Sequence, residues 1–228
     1  MPIQKYCVTA LASAILTLCA SFTAVAASAT VDNLQKKYNS VASMKAEFSQ
    51  MLLHKESGSK ETRSGTFAFR KPLLLRWESV TPASELLLVT SKEIWNVFPD
   101  EEIAYKYSLA LAEDSRSIVR VVTGQTRLDQ DFLLEEESRE GSLIKLRLFP
   151  KEPVQSLVEA VFWVDSGSGL IKKIRIYDFY GNENEITFLS QQIGVSLPNS
   201  LFSFTPAKGM VVEDKSRDGE APRKPLLR

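Results

Sequence analysis

The hydrophobic pattern of this chain changes period twice near its start. Val31, Leu34, Tyr38 and Val41 recur at helical spacing, and Thr30 or Asp32 can cap them, so a helix is expected over residues 30–41. From Met44 the period becomes two: Met44, Ala46 and Phe48 alternate with Lys45, Glu47 and Ser49, as in a half-solvated strand. A polar turn around Gly58 separates this strand from GTFAFRKPLLLRW, residues 65–77. There Phe67 and Phe69 share one face, and Thr66, Ala68 and Arg70 the other. Pro72 breaks the run, after which Leu73, Leu75 and Trp77 fall on one face. Lys71 keeps step with Phe67 and Phe69, which sets a cation on the apolar face at the bend.

Strand-like segments dominate the remainder. Residues 86–90 form an apolar run, Trp95 and Val97 flank Asn96, and Ile103, Tyr105 and Tyr107 alternate with Ala104 and Lys106. Between 108 and 125 the spacing of Leu109, Leu111, Ile118, Val121 and Val122 turns helical and Gly124 ends the segment, so a helical insertion is expected to cover something. Strands resume at 132–137, 143–149, 158–165, 170–180 and 185–191, with Asp165-Ser-Gly-Ser-Gly and Gly181-Asn182 as turns. A last short strand is expected at LFSFTP, residues 201–206. About ten short strands with two helical segments predict a mainly β fold, a strongly curved antiparallel sheet or barrel.

Composition adds a compartment. Lys5, an apolar stretch over 8–20 and the small residues Ala27-Ser28-Ala29 have the layout of a cleaved secretory signal, so the expected organisation is a signal over 1–29, one domain over 30–214 and a polar tail over 215–228. Both cysteines, Cys7 and Cys19, lie in the signal, and Leu18 before Cys19 argues against lipidation. Loss of Lys5 takes the 28 basic residues to 27 against 28 acidic ones, a mature charge of −1. Without a basic surplus, nucleic acid is disfavoured as a partner.

Catalytic chemistry finds little support. His54 is the sole histidine and sits at the polar end of a strand, and Gly167-Ser168-Gly169 reads as a hairpin turn, not a nucleophile elbow. Glu135, Glu136 and Glu137 point to alternate faces of a strand, so they make a poor metal set, and no phosphate-binding glycine loop occurs. No cofactor is expected and an enzyme is not. What remains is a set of inner-face residues, Phe48, Phe67, Phe69, Leu75, Trp77, Trp95 and Tyr105. They either fill a core or line a cavity for an apolar ligand.

Five places in chain order resemble the LolA family of periplasmic lipoprotein carriers: Met-Lys-Ala-Glu-Phe-Ser-Gln at 44–50, the 65–77 stretch, Trp95 after an apolar strand, Leu148-Phe149-Pro150-Lys151, and PNSLFSFTPAKG at 198–209. The resemblance implies an unclosed antiparallel β-barrel with a helical lid over a hydrophobic cavity. It implies a monomeric periplasmic chaperone that takes acylated outer-membrane lipoproteins from an inner-membrane ABC lipoprotein-releasing complex and delivers them to an outer-membrane lipoprotein receptor. A lipid- or lipoprotein-sensing module of the same fold is the alternative, and an unidentified hydrolase a remoter one. By the same resemblance Lys71 stands where the family has a lid-latching arginine, with Arg70 as a substitute, and the latch would reach the 108–125 lid. Leu75 matches an aromatic position, and Trp77, Leu88 and Trp95 match lining or rim positions. Departures are Thr90-Ser91-Lys92, where an Asp-Gly turn is usual, and Ala207 in place of a proline.

Overall fold

The computed structural model describes residues 22–113, 120 and 128–216. Helix α1 (Phe22–Ser40) leads into β1 (Ser43–Leu53), β2 (Lys60–Arg70), β3 (Leu74–Thr81), β4 (Glu85–Val89), β5 (Glu93–Phe98) and β6 (Ile103–Ser108). Among the described residues, the short helices α2 (Ala110–Glu113) and α3 (Leu128–Asp131) precede β7 (Phe132–Glu140), β8 (Leu143–Pro150), β9 (Glu159–Asp165), β10 (Ile171–Tyr177), β11 (Glu183–Ile193) and β12 (Val211–Asp214). The expected signal over 1–29 lies outside the described residues as far as residue 21, and α1 runs through Ala27–Ala29.

All twelve strands join one curved sheet in the order β12-β6-β5-β4-β3-β2-β1-β11-β10-β9-β8-β7. Neighbours are antiparallel except β12, which runs parallel to β6. β12 and β7 stand at opposite edges and do not pair, so the sheet is unclosed, as expected. Of the expected 108–125 insertion, α2 is described and the larger part lies outside the described residues. The strand expected over 201–206 is absent: Asn199–Phe202 is a 3-10 turn, and the chain forms its last strand only at β12. Phe202 and Phe204 alternate as strand residues do, but they pack down onto a sheet face and pair with no neighbouring strand.

The inner face is the one α1 covers. Val31, Leu34, Tyr38 and Val41 from α1 and its exit, Ala112 from α2 and Leu128 from α3 join Phe48, Phe67, Phe69, Leu75, Trp77 and the inward residues of β7–β11 in one buried cluster. The outer face of β2–β6 is also covered, by the segment after β11. Leu197 and Phe202 pack on Ala68, while Phe204 and Met210 pack on Leu86, Leu88, Trp95, Val97 and Ala104. These strands are therefore buried on both sides, whereas β1 is half-solvated as expected, with Lys45 and Glu47 exposed.

The 65–77 stretch turns where expected: β2 ends at Arg70, the Lys71–Pro72 peptide is cis, and β3 starts at Leu74. Its first residue is a glycine for a packing reason. The β2–β3 register shifts between Ser64 and Gly65, and a β-carbon on Gly65 would lie 1.8 Å from the Glu78 carbonyl oxygen. Backbone cannot yield as a side-chain tip can. Gly65→Ala is expected to cost about 1–3 kcal/mol of unfolding free energy in a urea titration. A loss below about 0.5 kcal/mol, the size of an ordinary surface change, would show that β2 and β3 can separate there freely.

Candidate functional site

The register of β1, β2, β3 and β11 stacks five aromatic rings on the inner face. Ala46 pairs with Phe67 and Phe67 with Trp77, while Phe48 pairs with Phe188 across β11. Phe48 lies 4.1 Å from Trp77 between ring centroids; Phe67 lies 5.8 Å from Phe69, 5.5 Å from Trp77 and 5.8 Å from Phe188. Separations of this kind, tilted or edge-on, are the favoured aromatic geometries. Phe48 and Phe67 are each 1% exposed and Phe69 is fully buried, so in this arrangement the aromatic face is closed to solvent. Leu75 belongs to it, and Tyr105 packs against its margin.

Leu88 and Trp95, expected in the same lining, lie on the opposite face. Leu75 pairs with Val89 and Trp77 with Leu87, so Leu87 and Val89 face inward and Leu86 and Leu88 outward. Leu88 in turn pairs with Trp95, whose ring packs 5.2 Å from Phe204. A strand reading Leu-Leu-Leu-Val is apolar on both sides, so its own pattern carries no sign of which side is inner. Phe188 is the converse case, an inner-face residue that sequence reasoning misses. Its alternation with Ile186 in β11 is the available signal.

Among the described residues, Lys71 meets the end of α1; most of the 108–125 insertion expected to receive it lies outside them. Its Nζ donates to the carbonyl oxygens of Tyr38 and Asn39 at 2.7 and 2.9 Å, in the last turn of α1. The final carbonyls of a helix have no intrahelical donor and carry the negative end of its dipole. Lys37 O is served by the Val41 amide and the Ser40 hydroxyl, and one ammonium with three donors serves the next two. The backbone amide of Lys71 also donates to Ala42 O, which fixes the bend against the α1–β1 connection. Partial burial lowers the pKa of the Lys71 ammonium from the ordinary 10.5.

Arg70, considered as a substitute latch, faces outward as its place in the alternation requires. Its guanidinium donates to Leu197 O at 2.7 Å and Asn199 Oδ1 at 2.6 Å, and stacks 5.3 Å from the Phe202 ring centre. It holds the segment after β11 against the sheet. The end of α1 has a second tie through Tyr38. The buried phenol oxygen accepts from the Ile171 amide of β10 at 3.3 Å, and burial raises its pKa above the usual tyrosine value. Tyr38 thereby links α1 to both halves of the sheet, to β10 by its hydroxyl and to the β2–β3 bend by its carbonyl.

The turns set aside as unreactive have structural roles. His54 is exposed at the β1–β2 turn, where its backbone bonds to Gly58 and Ser59. Asp165 Oδ1 accepts from the amide and hydroxyl of Ser168, and these bonds hold its carboxyl below the usual carboxylate range. The side chains of Glu135–Glu137 lie outside the described residues.

Comparison with known proteins agrees with this architecture. Outer-membrane lipoprotein carrier proteins from Chromobacterium violaceum and Dechloromonas aromatica are similar to the chain. The first is 25% identical over 196 residues, 86% of this chain and 92% of that protein; the second is 28% identical over 179 residues, 78% and 85%. A crystal structure of an uncharacterized conserved protein from Thermus thermophilus shares the fold, with a TM-score of 0.55 at 14% identity over 83% of this chain and 99% of that one. The family model described as outer membrane lipoprotein carrier protein LolA matches residues 39–205, from the end of α1 through the aromatic face to the segment behind it. That match, over most of a chain folded as one unclosed sheet, establishes that the chain belongs to the LolA family.

Proposed function

We propose that the protein is a periplasmic carrier, exported by a cleaved signal over 1–29 and working as a monomer built from residues 30–214 with a polar tail over 215–228. It receives acylated lipoproteins from an inner-membrane ABC lipoprotein-releasing complex, shields their acyl chains, and gives them up to an outer-membrane receptor. One observation supports this reading: the inner aromatic face is continuous with the cluster that α1 joins, and Lys71 binds the last carbonyls of that helix.

The packed face is the closed state of the carrier. Acyl chains take the place of α1 and the short helices α2 and α3 against Phe48, Phe67, Phe69 and Trp77 when those helices lift. Burial of about ten methylenes is worth roughly 8 kcal/mol. That exceeds the cost of breaking the Lys71 latch, so cargo binding can drive opening and reclosure can drive release.

Purified mature protein is expected to free newly made lipoproteins from spheroplasts as soluble one-to-one complexes, seen by size-exclusion chromatography of the supernatant. Lipoproteins left on the spheroplast membrane, while a family carrier releases them in parallel, would refute the carrier role.

A further inference from the structure

The hairpin between β10 and β11 ends in two neighbouring aromatic residues that stand uncovered among the described residues. Phe179 is 72% exposed and Tyr180 63%, and their rings meet edge-on with centroids 5.6 Å apart. A single exposed apolar residue is ordinary on a protein surface. Two aromatic side chains together on a projecting turn form an apolar patch whose hydration is unfavourable.

The turn is built to hold them out. Every backbone amide from Asp178 to Asn182 has an acceptor inside the protein. Asp178 donates to Asn182 O, Gly181 to Asp178 O and Phe179 to Gln155 O. Tyr180 and Asn182 both donate to Asp178 Oδ1, each at 2.9 Å. The Asn182 side chain ties the turn in two directions: its Nδ2 donates to Asp178 Oδ2, and its Oδ1 accepts from the Lys55 amide in the β1–β2 turn. Gly181 supplies the left-handed conformation that the turn requires, with a φ of 76°. A turn whose amides still needed water would lose that water on entering an apolar medium, at a cost for each unpaired donor. This one has no backbone donor left to strand.

The tip stands at the end of the sheet where Leu53 pairs with Glu183; the Lys71 bend is at the opposite end, where Ser43 pairs with Arg70. The Lys55 stem runs beside the turn, since a β-carbon on Gly181 would lie 3.5 Å from Lys55 Cγ. An ammonium on a flexible stem can stay among lipid headgroups while neighbouring rings go deeper.

We propose that the Phe179–Tyr180 tip docks this protein on a lipid bilayer, with Phe179 at the acyl boundary and Tyr180 at headgroup level. Aromatic side chains with one polar end favour that boundary. The tip is convex, its amides are paired and a cation lies at its base, a combination that fits a bilayer surface without needing a shaped groove. A single acyl chain gives only reversible membrane binding, and two aromatic side chains bury less, so the contact is transient. The proposal does not rest on the acyl-carrier reading; it requires only a bilayer within reach.

The test is flotation of the mature protein with vesicles of phosphatidylethanolamine and phosphatidylglycerol over a lipid titration. The double variant Phe179→Ser, Tyr180→Ser is expected to melt close to wild type, because both side chains are exposed. It is expected to bind the vesicles at least about tenfold more weakly. Val211→Ser, which removes an apolar residue 57% exposed on edge strand β12, is expected to bind as wild type does. An environment-sensitive NBD label on Phe179→Cys should shift to the blue on vesicles, and one on Val211→Cys should not. Wild-type protein that does not float overturns the proposal, as does a double variant that floats equally well. A label at position 179 that stays in water, in a protein whose double variant loses lipoprotein hand-over, also overturns it and assigns the tip to a protein partner.

Discussion

Replacement of Lys71 by leucine is expected to loosen α1 far more than the sheet beneath it. The variant leaves the Tyr38 and Asn39 carbonyls without their donor. A hydrogen bond from a charged group contributes roughly 1.5–3 kcal/mol, so the closed-to-open ratio of α1 should fall at least about tenfold. Amide hydrogen exchange reads this directly: α1 amides should exchange about tenfold or more faster, with those of β1, β2 and β11 within about twofold of wild type. Hand-over of lipoprotein should fall in parallel, because an opened cover no longer recloses to expel its cargo. Wild-type exchange in α1 together with wild-type hand-over would show that Lys71 is not a latch.

Truncation of Phe67 should give the largest loss of stability. The ring is 1% exposed and is held among Phe69, Trp77 and Phe188, with the β1 and β3 backbones on either side. Strand backbones paired on both sides cannot collapse into the space left behind. Phe67→Ala is therefore expected to cost about 3–5 kcal/mol in urea unfolding, a large share of a domain's usual stability of about 5–15 kcal/mol. The same experiment decides between a filled face and a preformed cavity. A cost below about 1 kcal/mol, far under the usual loss for a buried ring, would mean that the rings already stand around open space. In that case α1 need not lift for an acyl chain to enter.

Legibility in the sequence follows how far each residue's surroundings are local. The β2 strand can be read face by face because Thr66 and Arg70 interrupt its phenylalanines at a strict period of two. Its bend announces itself through Pro72, and Lys71 stands out as a cation in an apolar row. The inner or outer assignment of Leu88 and Trp95 is not legible, since β4 and β5 are buried on both faces and only pairing with β3 sets their sense. The outer cover escapes the sequence for a related reason. Phe202 and Phe204 have strand periodicity, but they meet Ala68 and Trp95 across more than a hundred residues of chain. The partner of Lys71 is equally remote: alternation identifies the cation, and only the fold shows that it caps α1.

Acyl chains are expected on the inner aromatic face and not on the covered outer one. Photo-crosslinking tests this most directly, with p-benzoylphenylalanine placed once at Phe69 on the inner face and once at Phe204 on the outer. After release from spheroplasts, the Phe69 probe is expected to crosslink to the lipid moiety of the lipoprotein and the Phe204 probe to give none. Crosslinks from Phe204 with none from Phe69 would contradict a carrier that holds its cargo beneath α1.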